Sequence, residues 1–233
     1  LEVDPLALSL LDTGSCGLHV VSGAFQTVNR DSWNVSSVLR HVYWLFKDCP
    51  ARRATYNERT SSCIWPLKFC QVRWVGNVNI ATREIEMFPF LKKWVENLKP
   101  KLRNQAFELV GQCICYDALF LAKLQFLSAV ALQLEPFVTK FQDPQPMFPL
   151  LFEALLSLVK ALMVRYVKPD VLAAGDTASK LLSLEVTDSE RLPVPDVGFA
   201  TAEAVKKSTA TDAEKMAFYV DARLFSRNVS KNT

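Results

Sequence analysis

The sequence has 233 residues, half of them hydrophobic, and a net charge of +3. This fits one large domain, or one domain with part of a second, and supplies ample material for a buried core. Seven glycines in long apolar segments argue against the short strands and frequent turns of an all-β fold, and the mildly basic balance permits nucleic-acid contact without demanding it.

The chain opens without Met, which fits a fragment or a processed chain, and Leu1 to Pro5 lack the basic and apolar regions of a signal peptide. Leu6 to Leu11 are apolar and suit a short strand. Asp12-Thr-Gly-Ser is turn chemistry that offers a helix N-cap. A helix is then expected over Cys16 to Thr27, broken by Asn29 to Asp31. Val35, Val38, Leu39, Val42, Leu45 and Phe46 recur at threes and fours, an amphipathic helix capped by Ser32 or Asn34 and stopped at Asp48-Cys-Pro50. A polar helix follows from about Ala51 to Arg59. Ser61 to Trp74 is rich in β-branched and aromatic residues around Pro66 and reads as extended or loop.

A further helix begins near Asn77 or Asn79 and runs to Lys99-Pro100, with Pro89 expected to kink or restart it. Lys101 to Val110 suits a short helix, and Cys113 to Asp117 a link. Leu119 to Leu134 is a helix with Pro136 expected just beyond its end. Lys140 to Pro146 is a polar loop. Met147 to Val167 is the most apolar stretch. Glu153, Lys160 and Arg165 interrupt it, no run reaches ~18 uninterrupted apolar residues, and so a central core helix is expected rather than a membrane span. A helix this apolar would leave part of its surface bare, so self-association is expected. Asp170 to Val197 shows little periodicity. Thr211 or Asp212 caps a last helix carrying Met216, Val220, Leu224 and Phe225, and Asn228 to Thr233 looks cut off rather than finished.

The residues able to carry chemistry are few. Cys16, Cys49, Cys63, Cys70, Cys113 and Cys115 are irregularly spaced and, without a secretory signal, read as reduced thiols; on the same ground the sequons at Asn34 and Asn228 carry no weight. Cys16 and His19, three apart, share a helix face. They could supply half a zinc site or a nucleophile pair, but two ligands are too few and no third group is evident. The preferred reading is a packed helix start with His19 hydrogen-bonded inside. His41 lies off the apolar rows of its helix. No phosphate-binding glycine loop or nucleophile elbow occurs. The pairs Arg52-Arg53, Lys92-Lys93 and Lys206-Lys207 read as solvated faces. Arg73 beside Trp74 offers a cation for phosphate and a ring for a base, or else a paired Arg and a core Trp.

Cys16-Gly-Leu-His19, followed some fifty residues later by Val72-Arg73-Trp74, resembles the hAT superfamily of DNA transposases. In that family a C-x-x-H motif opens a helix of an RNase H-like catalytic domain, a large helical insertion follows, and an Arg-Trp motif lies early within it. The stretches Cys16 to Thr27, Val42 to Arg53, Pro66 to Trp74 and Glu135 to Val171 strengthen the likeness. The resemblance implies a mainly α fold: an insertion-like helical bundle over 31–172, a partial RNase H-like segment over 1–30, and an irregular segment with a terminal helix over 173–233. It implies a nuclear, transposase-derived protein with DNA as partner, Arg73 and Trp74 as nucleic-acid-binding residues, and Cys16 and His19 as a structural motif. A complete family member uses Mg²⁺ held by three acids. Two of those acids lie upstream of the C-x-x-H and the third lies after the insertion. Asp4 and Asp12 stand in the wrong context, so no catalytic residue is assigned. The alternative is a helical protein-interaction scaffold that does not bind DNA.

Overall fold

The computed structural model describes residues 21, 23–25, 33–70, 75–98, 104–141, 148–175, 180–181 and 184–232. The described residues are mainly helical and contain no strand; one isolated antiparallel bridge joins Val167 to Arg191. The expected mainly α class therefore holds. The expected Leu6 to Leu11 strand, the helix start at Cys16 and the loop residues 142–146 lie outside the described residues, although Val21 and Gly23 to Phe25 are helical.

Helix α1 spans Val35–Phe46 and buries all six of the residues that its periodicity selects. Of the two expected caps, Ser32 lies outside the described residues, and Asn34 adopts φ 59° with no capping bond from its side chain. The other end is capped from outside. Arg52 Nη1 and Arg53 Nε each donate a 3.0 Å bond to the carbonyls of Leu45 and Phe46. Two cations thus satisfy last-turn carbonyls and offset the negative end of the helix dipole. Both come from α2, Pro50–Thr60, which places its Pro at the first helical position, where the missing N–H costs nothing.

Residues 61–70 are irregular, as expected. After a 3₁₀ turn at Val75–Asn77, α3 runs over Val78–Asn97 and continues through Pro89, so the expected restart does not occur. Helix α4, Gln105–Gly111, is capped by Asn104, whose side chain accepts from Ala106 N at 2.8 Å and Phe107 N at 3.3 Å. The expected link at Cys113 to Asp117 is instead a π-helical turn over Gln112–Tyr116 that buries Cys113 and Ile114.

Helix α5, Phe120–Lys140, is the centre of the fold and packs against α3 and against α8, Phe199–Lys207. It contains Pro136 rather than stopping before it. The carbonyl deprived of its donor belongs to Leu132, which is exposed, so water can satisfy it. By length and composition α5 is apolar enough to cross a membrane, although it contains no run of ~18 uninterrupted apolar residues. In this fold its buried positions are covered by neighbouring helices.

Helix α6, Phe148–Met163, was expected at the centre and lies at the periphery, against α9, Asp212–Asn232. Leu158, Val159, Leu162 and Met163 are buried, but Leu150 and Phe152 are exposed. Being apolar all round is a poorer guide to position than having two covered sides, and α5 has those. Helix α7, Pro169–Ala174, and a 3₁₀ turn at Asp188–Glu190 interrupt the stretch expected to be irregular. Helix α8 went unforeseen. Its sequence, Phe-Ala-Thr-Ala-Glu-Ala-Val-Lys-Lys, buries only Thr201 and Val205, too little apolar rhythm to read.

The last helix starts where expected. Thr211 and Glu214 form a reciprocal cap, Thr211 N donating to Glu214 Oε2 at 2.7 Å and Glu214 N donating to Thr211 Oγ1 at 3.3 Å. Its buried face is Phe218, Ala222, Phe225 and Val229, whereas Met216, Val220 and Leu224 are exposed. One hydrophobic cluster runs from Val21 and Phe25 through α5 to Phe225 and Val229, and a smaller one joins Val159, Met163, Tyr166, Val167 and Leu181.

Candidate nucleic-acid interface

Cys16, His19, Arg73 and Trp74 all lie outside the described residues. What is described is the frame around the Arg-Trp pair. Asn77, almost fully buried, receives the backbone N–H of Cys70 on its Oδ1 at 3.1 Å and donates its Nδ2 to the Cys70 carbonyl at 2.5 Å. One carboxamide thus ties together the two ends of the stretch that holds Arg73 and Trp74, much as a backbone pair would close a loop.

Charge is segregated along the chain in a way that the overall +3 conceals. Residues 35–103 contain thirteen Lys or Arg against five Asp or Glu, a net +8, which leaves −5 for the rest. One of the five acids is also silenced. Glu84 is buried in α3, its Oε1 has no hydrogen-bond partner, and desolvation pushes its pKa up to about 8. At neutral pH it is mostly uncharged, so the segment is more basic still.

The described side chains give this charge a shape. The solvent side of α1 presents Ser36, Arg40, Tyr43 and Trp44, and α1 contains no acidic residue. Trp44 is 52% exposed, and the Lys47 ammonium sits 4.5 Å from its ring centroid. Tyr43 meets it edge-on with centroids 5.9 Å apart. Just past the helix end, the Arg53 guanidinium lies 5.6 Å from the half-buried ring of Trp65, which leans on Phe46 and Tyr56. Lys68 is exposed on the following segment. Arg59 donates to the carbonyl of Asn97, joining the ends of α2 and α3, and exposed Lys92 and Lys93 lie one turn before that carbonyl. Cations interleaved with aromatic rings, on a surface poor in acid, suit phosphate and base faces.

Sequence reasoning missed this surface because it weighed each basic pair alone. Tallying charge by segment would have found it; the exposure of Trp44 would not have been found, since an aromatic at that spacing reads equally as core. Among the described residues no three His, Cys, Asp or Glu side chains gather closely enough to hold a metal ion. Cys49, Cys63, Cys70 and Cys113 form no disulfide among the described residues. His41 is half-buried, with Nδ1 2.6 Å from the Ser37 carbonyl, an intrahelical contact that ties it down locally. No family model, curated protein or solved structure matches this chain.

Proposed function

We propose that the chain is a nucleic-acid-associating helical domain of hAT transposase type, an insertion-like bundle joined to a partial RNase H-like segment, which does not cut DNA by itself. The observation that carries this reading is the net +8 of residues 35–103, set against −5 elsewhere. Phosphate binding releases condensed counterions, and a concentrated cationic face gains more from that than the same charges dispersed. The resemblance adds to it, because Arg73 and Trp74 lie in the same segment, on the stretch closed by Asn77. DNA is the proposed partner and the nucleus the proposed location. Mg²⁺ belongs to complete family members and enters no step here.

The test is affinity for DNA against salt concentration. Each phosphate contact contributes a slope of roughly −0.7 to −0.9 on logarithmic axes, so a multi-contact face gives a steep fall. Binding that ignores salt would sink the reading.

A second reading, the protein-interaction scaffold, has its own support. Met216, Val220 and Leu224 are exposed at four-residue spacing along α9, and Leu150 and Phe152 are exposed on α6. Such faces suit self-association, which we propose alongside nucleic-acid binding. Sedimentation over a range of concentrations tests it, with Val220→Glu expected to shift the distribution toward monomer.

A further inference from the structure

We propose that Trp44 is a stacking platform for unpaired bases, so that the basic face takes single-stranded nucleic acid in preference to duplex. This rests on the nucleic-acid reading above and narrows it to a ligand class.

Burial is uneven within one helix. Helix α1 buries six apolar side chains, yet leaves its only Trp 52% exposed. An exposed indole presents a large flat aromatic face on which a base can stack. Phe152, Tyr116 and Phe199 are also exposed, but they lie outside the basic segment. Among the described residues of that segment, Trp44 is the exposed aromatic.

Its surroundings are those of a platform. Tyr43 packs edge-on at 5.9 Å and steadies the indole. The ring's open side carries Lys47, 4.5 Å from its centroid on a long flexible stem. A base can displace that ammonium, which then stays close enough to meet the adjoining phosphate. Arg40 lies one turn before Trp44 and Lys47 just under one turn after, so cations flank the ring along the helix axis. Asp48 faces Lys47 at 3.9 Å and is itself exposed, so it offers no fixed negative wall to the ring.

The same features argue against duplex. Paired bases expose only their edges, which are read by Arg, Asn, Gln or Lys in the major groove. The solvent side of α1 offers one Arg and two aromatics. Aromatic faces gain most from bases that are already unstacked.

The experiment measures binding of a twenty-nucleotide oligo-dT and of a duplex of equal length, across salt, by anisotropy. It uses the full chain as wild type, Trp44→Ala, Trp44→Phe and the pair Arg40→Gln/Lys47→Gln. The expected result is tighter binding of the single strand by wild type. Trp44→Ala then weakens single-strand binding by about tenfold, the size of one lost stack, leaves duplex binding unchanged, and leaves the salt slope unchanged. Trp44→Phe keeps most of the affinity, which also guards against a folding defect in the alanine variant. The double Gln variant weakens both ligands and flattens both slopes. Equal affinity for both ligands, or a Trp44→Ala variant indistinguishable from wild type while the Gln pair still weakens binding, overturns the platform and leaves the basic face standing. No salt-dependent binding by wild type overturns both.

Discussion

The two halves of the molecule each build an aromatic cluster, and the clusters differ in kind. In the first half, Phe46, Tyr56, Trp65 and Trp94 pack with Phe107, with Arg53 laid over Trp65 at the edge. In the second, Phe126, Phe218 and Phe225 pack together with Phe25 and Trp33, and Trp33 directs its N–H to Asp221 at 3.2 Å. The segment 35–103 that carries most of the first cluster is on balance positive and holds a buried acid without a hydrogen bond on one oxygen; the second half is on balance acidic and shows exposed aliphatic residues. Similar packing physics thus supports two different surfaces, one suited to polyanions and one to apolar partners. The lesson is that the function-bearing difference lies in what surrounds the cores rather than in the cores themselves.

The strongest way to break this comparison is to empty each core in turn. Trp94→Ala, in the first cluster, removes a fully buried ring, and Phe126→Ala does the same in the second. Each is expected to cost about 3–5 kcal/mol in urea unfolding, in one shared transition, because a single hydrophobic cluster contains both residues. Two separated transitions would mean that the halves fold independently.

The next test uses pH. Glu84 has its pKa pushed from an ordinary 4.5 up to about 8 by burial. Below 4.5 its carboxyl is neutral in both folded and unfolded chains. Between 4.5 and 8 the unfolded chain ionises it and the folded chain does not, so stability falls as pH rises, by roughly 1.4 kcal/mol per unit from this group at most. Above 8 the loss levels off. Glu84→Gln is expected to lessen the decline between pH 5 and pH 8.5, seen as a widening gap in urea midpoint over wild type. An unchanged pH profile would show that the carboxylate finds a partner or water in solution.

A smaller effect in free energy, though a clear one in binding, separates the surfaces. Arg40→Glu with Lys47→Glu is expected to lower DNA affinity by at least tenfold and flatten its salt dependence. Lys206→Glu with Lys207→Glu, on α8 in the acidic half, is expected to change it by less than threefold. Equal losses would erase the distinction between the halves. The smallest effect is at the start of α9, where Thr211→Ala removes half of the reciprocal cap and is expected to cost about 1 kcal/mol, read as a lowered Tm with nucleic-acid binding intact.

Much of the helical fold was legible. The rows Val35 to Phe46, the stop at Pro50 and the Thr211 cap are local signals, and each is found. What failed was non-local. Pro89 and Pro136 read as breaks, yet long helices absorb them where neighbours hold the flanking turns. Met147 to Val167 read as central because it is the most apolar stretch, but position depends on which helices cover it. Of the apolar residues that stand out in the last helix, Met216, Val220, Leu224 and Phe225, only Phe225 is buried; Phe218, Ala222 and Val229 complete the buried face. Small residues such as Ala222 and Ser226 hid that face from a count of large apolar side chains. The candidate surface was legible only as charge. Arg73 and Trp74 stand out because they match a motif, while Trp44 is noticed only through its exposure in the fold.

The central claim is that the segment from Val35 to Arg103 is a polyanion-binding face. The most direct measurement is DNA affinity against salt for wild type and for Arg40→Glu/Lys47→Glu, with Lys206→Glu/Lys207→Glu beside them. A steep salt slope is expected in wild type, a shallow slope with weak binding in the first variant, and near wild-type behaviour in the second. No salt-dependent binding in wild type, or equal losses in both variants, would contradict it.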